Sequence, residues 1–329
     1  MEDWLSIAAD HASAVLVTVA IVEGSVPREP GAKMLVDAER QWGTVGGGHL
    51  ELRGVQAARA MLASGETRRL ERFPLGPSLG QCCGGVVHLA FELVDRDHLA
   101  ALAARRDRDS WRLVSLDAAP DGAAALALLD AEGRTVHGSA AVPAFDRTLG
   151  TQVLRDQAGR RWLADLVTAP RAHLMLFGAG HVGTAIVRAC ADLPCRVTWV
   201  DERDDLFPAT LPDNVTVEAT DTPETLAQSA PAGTSFLVMT HSHALDQRLA
   251  ETILKRPGHD WFGLIGSSTK RSQFERRLRE RGVGQERLDA MVCPIGVPGI
   301  AGKLPAVIAV AVAAQLLTVW EAALVNERI

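Results

Sequence analysis

Apolar positions along the chain follow two regimes. Residues 14–22 form an unbroken run rich in β-branched side chains and residues 33–36 a shorter one, after which a glycine turn at 43–48 gives way to helical spacing over 49–63. These patterns predict strand, loop, strand, turn and helix in that order. Further strands are expected at 67–73 and 85–93 and a helix over 98–106. A small antiparallel set follows at 112–115, 125–129 and 135–137, turned by Asp130-Ala131-Glu132-Gly133. From Leu174 onward, short apolar runs at 174–177, 197–200, 215–217, 236–239 and 262–265 alternate with segments of helical length. Runs buried on both faces and separated by crossovers predict a parallel sheet with helices on each side. The change falls near Ala169-Pro170, so the fold class is α/β, with an N-terminal α+β domain over 1–168 and a doubly wound domain over 169–329.

Composition narrows the setting. A chain of 329 residues with 47% hydrophobic and 22% charged positions has room for two cores and is not disordered. A formal net charge of −6 argues against general nucleic-acid binding, which needs basic surface to neutralise phosphates. Five cysteines (Cys82, Cys83, Cys190, Cys195 and Cys293), none at CxxC spacing, indicate neither a disulfide framework nor a structural zinc site and suit a reducing compartment. The N-terminus carries no basic residue before Arg28, so it lacks the positive flank of a secretion signal. The most apolar stretch, 304–320, is short for a membrane span and carries Gln315, which makes it a buried helix. Together these readings place the protein in the cytoplasm, away from membranes.

The clearest motif is Gly178-Ala179-Gly180-His181-Val182-Gly183, a G-x-G-x-x-G directly after an apolar strand and opening a helix, as in Rossmann-like domains. Gly178 would let the chain turn, Gly180 would let a phosphate approach the backbone and Gly183 would let helix and strand pack closely. The following strand ends at Asp201, where an acid can bind a diol. The bland alternative is that the glycines serve packing alone. Three more segments follow strand ends: Thr240-His241-Ser242-His243, Ser267-Ser268-Thr269-Lys270-Arg271 and Cys293-Pro294-Ile295-Gly296. His241 and His243 suit a metal or, as ordinary loop residues, hydrogen bonding. Ser267 with Lys270 and Arg271 suits a phosphate or, equally, a plain capped helix.

In the first half, the loop around Arg28 and the turn Gly46-Gly47-Gly48 either expose backbone N–H groups to an anion or supply tight turns. Cys82 and Cys83, next to Gly84-Gly85, are either reactive thiols for redox, sulfur or soft-metal chemistry or inert small hydrophobes.

Taken together, these motifs resemble the XdhC/CoxI family over nearly the whole chain. The resemblance rests on Gly24-Ser25-Val26-Pro27-Arg28 with Gly31-Ala32-Lys33-Met34, on Gly46-Gly47-Gly48-His49-Leu50-Glu51, on Cys82-Cys83-Gly84-Gly85 and on Phe177-Gly178-Ala179-Gly180-His181-Val182-Gly183. It continues through Met239-Thr240-His241-Ser242-His243, Leu264-Ile265-Gly266-Ser267 with Lys270-Arg271, and Cys293-Pro294-Ile295-Gly296-Val297-Pro298-Gly299-Ile300. The resemblance implies a chaperone, rather than a turnover enzyme, that binds molybdenum cofactor (molybdopterin). It further implies support for sulfuration of that cofactor with a cysteine desulfurase, delivery to the large subunit of xanthine dehydrogenase, and a homodimer. On that reading the pterin phosphate would lie at Gly178–Gly183 or Ser267–Arg271 and the molybdenum would face Cys82 and Cys83. The rivals are an NAD(P)-dependent oxidoreductase built on the Rossmann-like domain and its Asp201, which lacks an obvious Tyr–Lys pair because the chain contains no Tyr, and a scaffold that docks partners without cofactor.

Overall fold

The computed structural model describes residues 4–5, 7, 13–76, 84–117, 125–138, 141–258 and 260–326, with side chains to residue 323. The chain divides into two compact units, Met1–Ala169 and Pro170–Ile329.

Unit 1 contains two antiparallel sheets. The first runs β3 (Gln41–Gly43), β2 (Lys33–Val36), β1 (Val15–Glu23), β5 (Val86–Leu93), β4 (Arg68–Pro74). The second runs β8 (Thr135–His137), β7 (Leu126–Asp130), β6 (Ser110–Ser115), β10 (Arg161–Val167), β9 (Gln152–Arg155). Strand side chains alternate between faces, and here both faces of β1 are covered, which explains its continuous apolar run. Val15, Val17 and Val19 pack with Met34, Leu89 and Phe91 beneath helix α1 (Gly48–Ser64), whose Leu50, Val55, Ala58 and Met61 are buried. Ala20 and Ala90 instead join Leu116 and Leu163 of the second sheet region. Helix α2 (Arg96–Ala103) starts at Asp95, whose side chain accepts from the His98 N–H.

A buried ion network occupies this second face. Asp165 on β10 accepts from Lys33 Nζ of β2 and from Arg112 Nη1 of β6, each at 2.8 Å, and Arg112 Nη2 reaches Glu92 of β5 at 2.6 Å. Desolvation opposes the charge on Asp165, but Lys33 and Arg112 outweigh it and hold the carboxyl below its ordinary range. The sequence pattern does not anticipate strands β9 and β10, and the helix expected over 98–106 begins two residues earlier and is shorter.

Unit 2 is a five-stranded parallel sheet ordered β13 (Val215–Ala219), β12 (Cys195–Asp201), β11 (Ala172–Phe177), β14 (Ser235–Val238), β15 (Phe262–Leu264). Helices α3 (His181–Cys190) and α8 (Pro305–Asn326) share one hydrophobic cluster with Leu174, Leu176 and Trp199. The opposite cluster joins Phe177, Phe236 and Phe262 to residues of α4 (Pro223–Ser229), α5 (His243–Leu254), α6 (Ser268–Glu280) and α7 (Gln285–Ala290). This is the doubly wound Rossmann-like arrangement expected of the C-terminal half.

The expectation that 304–320 is a buried helix needs correction. In α8 only one stripe is covered: about 33% of Pro305–Ala323 is buried, and Val310 is 62% exposed. By length and composition this is the one helix among the described residues able to cross a membrane, which is weak grounds for a span. Gln315 has a structural task, since its side-chain amide pairs with the Gly296 backbone: Gly296 N donates to Oε1 at 2.8 Å and Nε2 donates to Gly296 O at 3.2 Å.

Candidate functional site

Chain order splits in the parallel sheet at β11. One branch runs outward to β12 and β13 and the other to β14 and β15, and such a switch point opens a crevice beyond the carboxyl ends of the strands. The loops after β11, β12 and β14 line a shallow recess with room for about one water molecule, bounded by Phe177, Val200, Asp201, Glu202, Pro223, Thr240, His241 and Leu245.

The three fingerprint glycines have different jobs. At Gly178 φ is +122°, and an added Cβ would lie 2.4 Å from Met239 O, so no larger residue fits. At Gly183 a Cβ would lie 2.1 Å from Gly178 O, the tight helix–strand contact expected there. Gly180 differs: its φ is −75°, it caps α3 without a side-chain bond, and nothing lies within 4 Å of an added Cβ. The protein itself therefore gives no steric reason for glycine at this position. Gly180 and His181 are exposed at a helix N-terminus whose first N–H groups receive no side chain, a geometry that suits a phosphate oxygen.

Asp201 sits where expected but faces inward. Oδ2 accepts from Ala179 N at 2.7 Å and Arg203 Nη2 at 2.9 Å, and Oδ1 from Arg203 N at 3.1 Å and Nε at 2.9 Å. Burial pushes its pKa up, but the Arg203 bonds and the Ala179 N–H prevail and keep it below the ordinary carboxylate range. The carboxylate is thus committed to fixing the glycine loop and offers no free oxygen pair to a ribose. Trp199 Nε1 clamps the same loop through Gly178 O at 3.0 Å.

The basic residues after β15 also turn inward. Lys270 Nζ donates to Asp246 Oδ2 at 2.7 Å and to Ile265 O at 2.8 Å, while Asp246 Oδ1 holds Thr240 N at 3.0 Å. Arg271 Nε pairs with Glu275 at 2.6 Å. Ser267 caps α6 through Lys270 N at 3.3 Å. This is the ordinary capped helix, with its two charges spent on holding neighbouring loops rather than presented to an anion. His241 pairs with Glu202 at 3.3 Å across the mouth of the recess, and His243 is exposed at the start of α5. Among the described residues no group of three His, Cys, Asp or Glu is placed to hold a metal ion.

In unit 1 the structure gathers motifs that are distant in sequence. A Cβ on Gly85 would come within 2.4 Å of Ser25 O and 2.6 Å of Glu23 O, and one on Gly46 within 2.4 Å of Pro27 Cγ. The loop at 24–31, with half-buried Arg28 paired to Glu29 at 3.4 Å, the turn Gly46-Gly47-Gly48 and the approach to β5 therefore share one rim. The glycine turn already has an anion. Glu51 Oε2 accepts from Val45 N at 3.3 Å, Gly47 N at 3.2 Å and Thr44 Oγ1 at 2.5 Å. Gly46 to Gly48 adopt φ of 132°, 70° and 59°, so the turn is also one that needs positive φ. Cys82 and Cys83, which immediately precede this rim in the chain, lie outside the described residues.

A parallel switch-point unit with an open glycine-loop helix, joined to a two-sheet α+β unit, defines the class: a two-unit protein with a Rossmann-type ligand crevice. The chain belongs to the XdhC and CoxI family, because the XdhC Rossmann-domain model matches residues 174–316 and the XdhC and CoxI family model residues 7–74. It is 28% identical over 194 residues to the uncharacterized protein YqeB of Escherichia coli K12, covering 59% of this chain and 35% of that protein. The chain thus spans about a third of that relative's length. It is 26% identical, over 94% of its length and 93% of the relative's, to a Bacillus subtilis protein described as a probable xanthine dehydrogenase subunit. A crystal structure from Bacillus halodurans, described as a xanthine dehydrogenase, shares the fold with a TM-score of 0.72 at 21% identity, covering 97% of this chain and 95% of that one.

Proposed function

We propose that this protein serves the maturation of xanthine dehydrogenase by carrying molybdenum cofactor and handing it to the large subunit of that enzyme. The observation that carries the reading is Gly180, a glycine with no neighbour to require it, at an uncapped helix start beyond the carboxyl end of β11. The name of the Bacillus subtilis relative supports the choice of target. When bound, the cofactor supplies a redox-active molybdenum on a pterin dithiolene that ends in a phosphate. The protein's part is to bind and shelter. The N–H groups opening α3 would hold the phosphate, Phe177, Pro223 and Leu245 would shield one wall from water, and Thr240 and His241 would supply hydrogen bonds at the rim. Cys82 and Cys83 would serve sulfur exchange with a cysteine desulfurase in the cytoplasm, with a homodimer as the working form.

The nicotinamide alternative loses its main residue, since Asp201 is saturated by Ala179 and Arg203. The test is to isolate the full chain anaerobically from cells that make molybdenum cofactor, oxidise it in acid and measure the fluorescent pterin derivative. Stoichiometric pterin is expected from the native protein and at least tenfold less from Gly180→Val, with the variant's circular dichroism unchanged. Empty native protein that also fails to take up offered cofactor overturns the proposal, and hydride transfer in a parallel NAD(P)H titration would replace it with the oxidoreductase.

A further inference from the structure

Helix α8 carries no charged residue before Glu321. A helix apolar on every side belongs in a core, because one at a surface keeps a polar face for water. One stripe of α8 meets that need: Ala309, Val312, Leu316 and Trp320 are buried in the cluster shared with α3. Two side chains tie the stripe to unit 2, with Trp320 Nε1 donating to Ser235 Oγ at 3.0 Å and Gln315 pairing with the Gly296 backbone. The opposite side is bare. Val310 is 62% exposed, and Ile300 and Leu304, in the chain that leads into the helix, are exposed as well. At about 3.6 residues per turn, Val310, Ala314 and Glu321 fall on the side opposite Val312, flanked by Val307 and Leu317. Lys303, just before the helix, stands nine positions ahead of Val312, and Glu321 nine positions after it. Both charges are exposed, and among the described residues neither has an ion-pair partner.

We propose that a second copy of this chain covers the bare side of α8, the two helices lying antiparallel about a two-fold axis at the level of Val312. That arrangement sets Lys303 against the partner's Glu321, Val307 against the partner's Leu317 and Val310 against the partner's Ala314, each contact made twice. Opposite charges equidistant from one point complement a copy of the same surface, as an isologous interface requires. The alanine at 314 lets the two helix backbones come close, and Ile300 and Leu304 extend the apolar area beyond the helix start. A bilayer is a poorer occupant. To cross one, α8 would have to abandon Ser235 and Gly296, and a helix lying on one is served by basic residues, of which the stretch 300–323 has Lys303 alone. The proposal gives the homodimer of the functional reading its surface, and it rests on that part of the reading and not on the cofactor.

Sedimentation velocity of the full chain should show a dimer at about 10 μM. Val310→Asp should weaken self-association by about a hundredfold or more, because two carboxylates would be buried where two valines were. Its circular dichroism should match that of the native chain, since Val310 is exposed in the single chain. Lys303→Glu and Glu321→Lys should each weaken the dimer by about threefold or more, as lost and reversed surface pairs do. An equal mixture of those two variants should dimerise like the native chain, because the mixed pair restores both ion pairs. A native chain still monomeric at about 100 μM, or one that binds phosphatidylglycerol–phosphatidylethanolamine vesicles instead of itself, overturns the proposal. So does a dimer that Val310→Asp leaves intact, or a mixture that gains nothing over its components. Should Val310→Asp fail to fold, the mixture decides. Pterin measured in the same preparations separates the two readings: a native dimer that Val310→Asp dissociates but that holds no pterin supports this interface and removes the cofactor.

Discussion

At the scale of single residues, the fingerprint separates into positions that hold the fold and one that does not. Gly183 faces Gly178 O at a distance no Cβ tolerates, so Gly183→Ala must force α3 away from β11. Overpacking of this kind costs about 1–3 kcal/mol, and a fall in the denaturation midpoint of the variant would register it. Gly180→Val should cost no more than about 1 kcal/mol of stability, the step from glycine to a β-branched residue at a helix N-cap. The motif already suggests a separate role for each glycine, with packing alone as the alternative; only the surroundings of each decide between packing and approach. Asp201 and Lys270 show the same blindness. Their positions after strands are legible, but the partners that consume them, Ala179 with Arg203 and Asp246 with Ile265, depend on where backbone atoms end up. Asp246→Ala would leave the Lys270 ammonium, 13% exposed, without its carboxylate. Breaking a buried pair from one side typically costs about 3–5 kcal/mol, and chemical denaturation of the variant should show a loss of that order.

At the scale of elements, regular apolar periodicity is readable and charge inside a core is not. Strands β1, β2 and β5 and the five of the parallel sheet are apolar runs with glycine or proline punctuation, which local pattern detects. Strand β10 has Asp165 at its centre, a residue that in isolation reads as a loop, and its compensation comes from Lys33, 132 positions away in sequence, and from Arg112. The start of α1 is instructive in the other direction. A glycine turn followed at close range by Glu51 carries its own anion, and the four-residue spacing from Gly47 to Glu51 is the visible sign. Glu51→Ala would leave the N–H groups of Val45 and Gly47 and the Thr44 hydroxyl without their acceptor. Unsatisfied donors cost about 1–3 kcal/mol each when buried and less at this part-exposed rim, so thermal unfolding of the variant should begin earlier. Added phosphate should recover part of the loss by occupying the vacated nest, an effect absent from the unsubstituted protein.

At the scale of the whole molecule, each hydrophobic cluster lies within one of the two units, so each has a core of its own. The units should also differ in their response to acid. His98 is 1% exposed in unit 1 with no hydrogen-bond partner for either ring nitrogen. Burial, reinforced by the charge on Arg112, lowers its pKa from 6.5 to about 3. A base whose folded pKa lies below its unfolded value binds fewer protons in the native state. The stability of unit 1 is then unaffected by His98 above pH 6.5 and falls as the pH drops toward about 3, by up to ~1.4 kcal/mol per pH unit. Asp165, depressed by Lys33 and Arg112, adds a loss of the same sign once the pH passes below the ordinary aspartate range. Unit 2 contains His173, whose pKa burial also depresses. That ring is only half-buried and is bonded on both nitrogens, to Thr198 at 2.9 Å and Thr234 at 3.2 Å, so its acid response should be shallower. Urea titrations between pH 7 and pH 4.5, followed by hydrogen exchange resolved along the chain, should show amides of unit 1 losing protection first. His98→Leu, which replaces an unpartnered imidazole with an apolar side chain, should flatten that slope while leaving stability at pH 7 unchanged or raised. Equal acid sensitivity of the two units, or a slope that persists in the leucine variant, would assign the lability of unit 1 to groups other than His98.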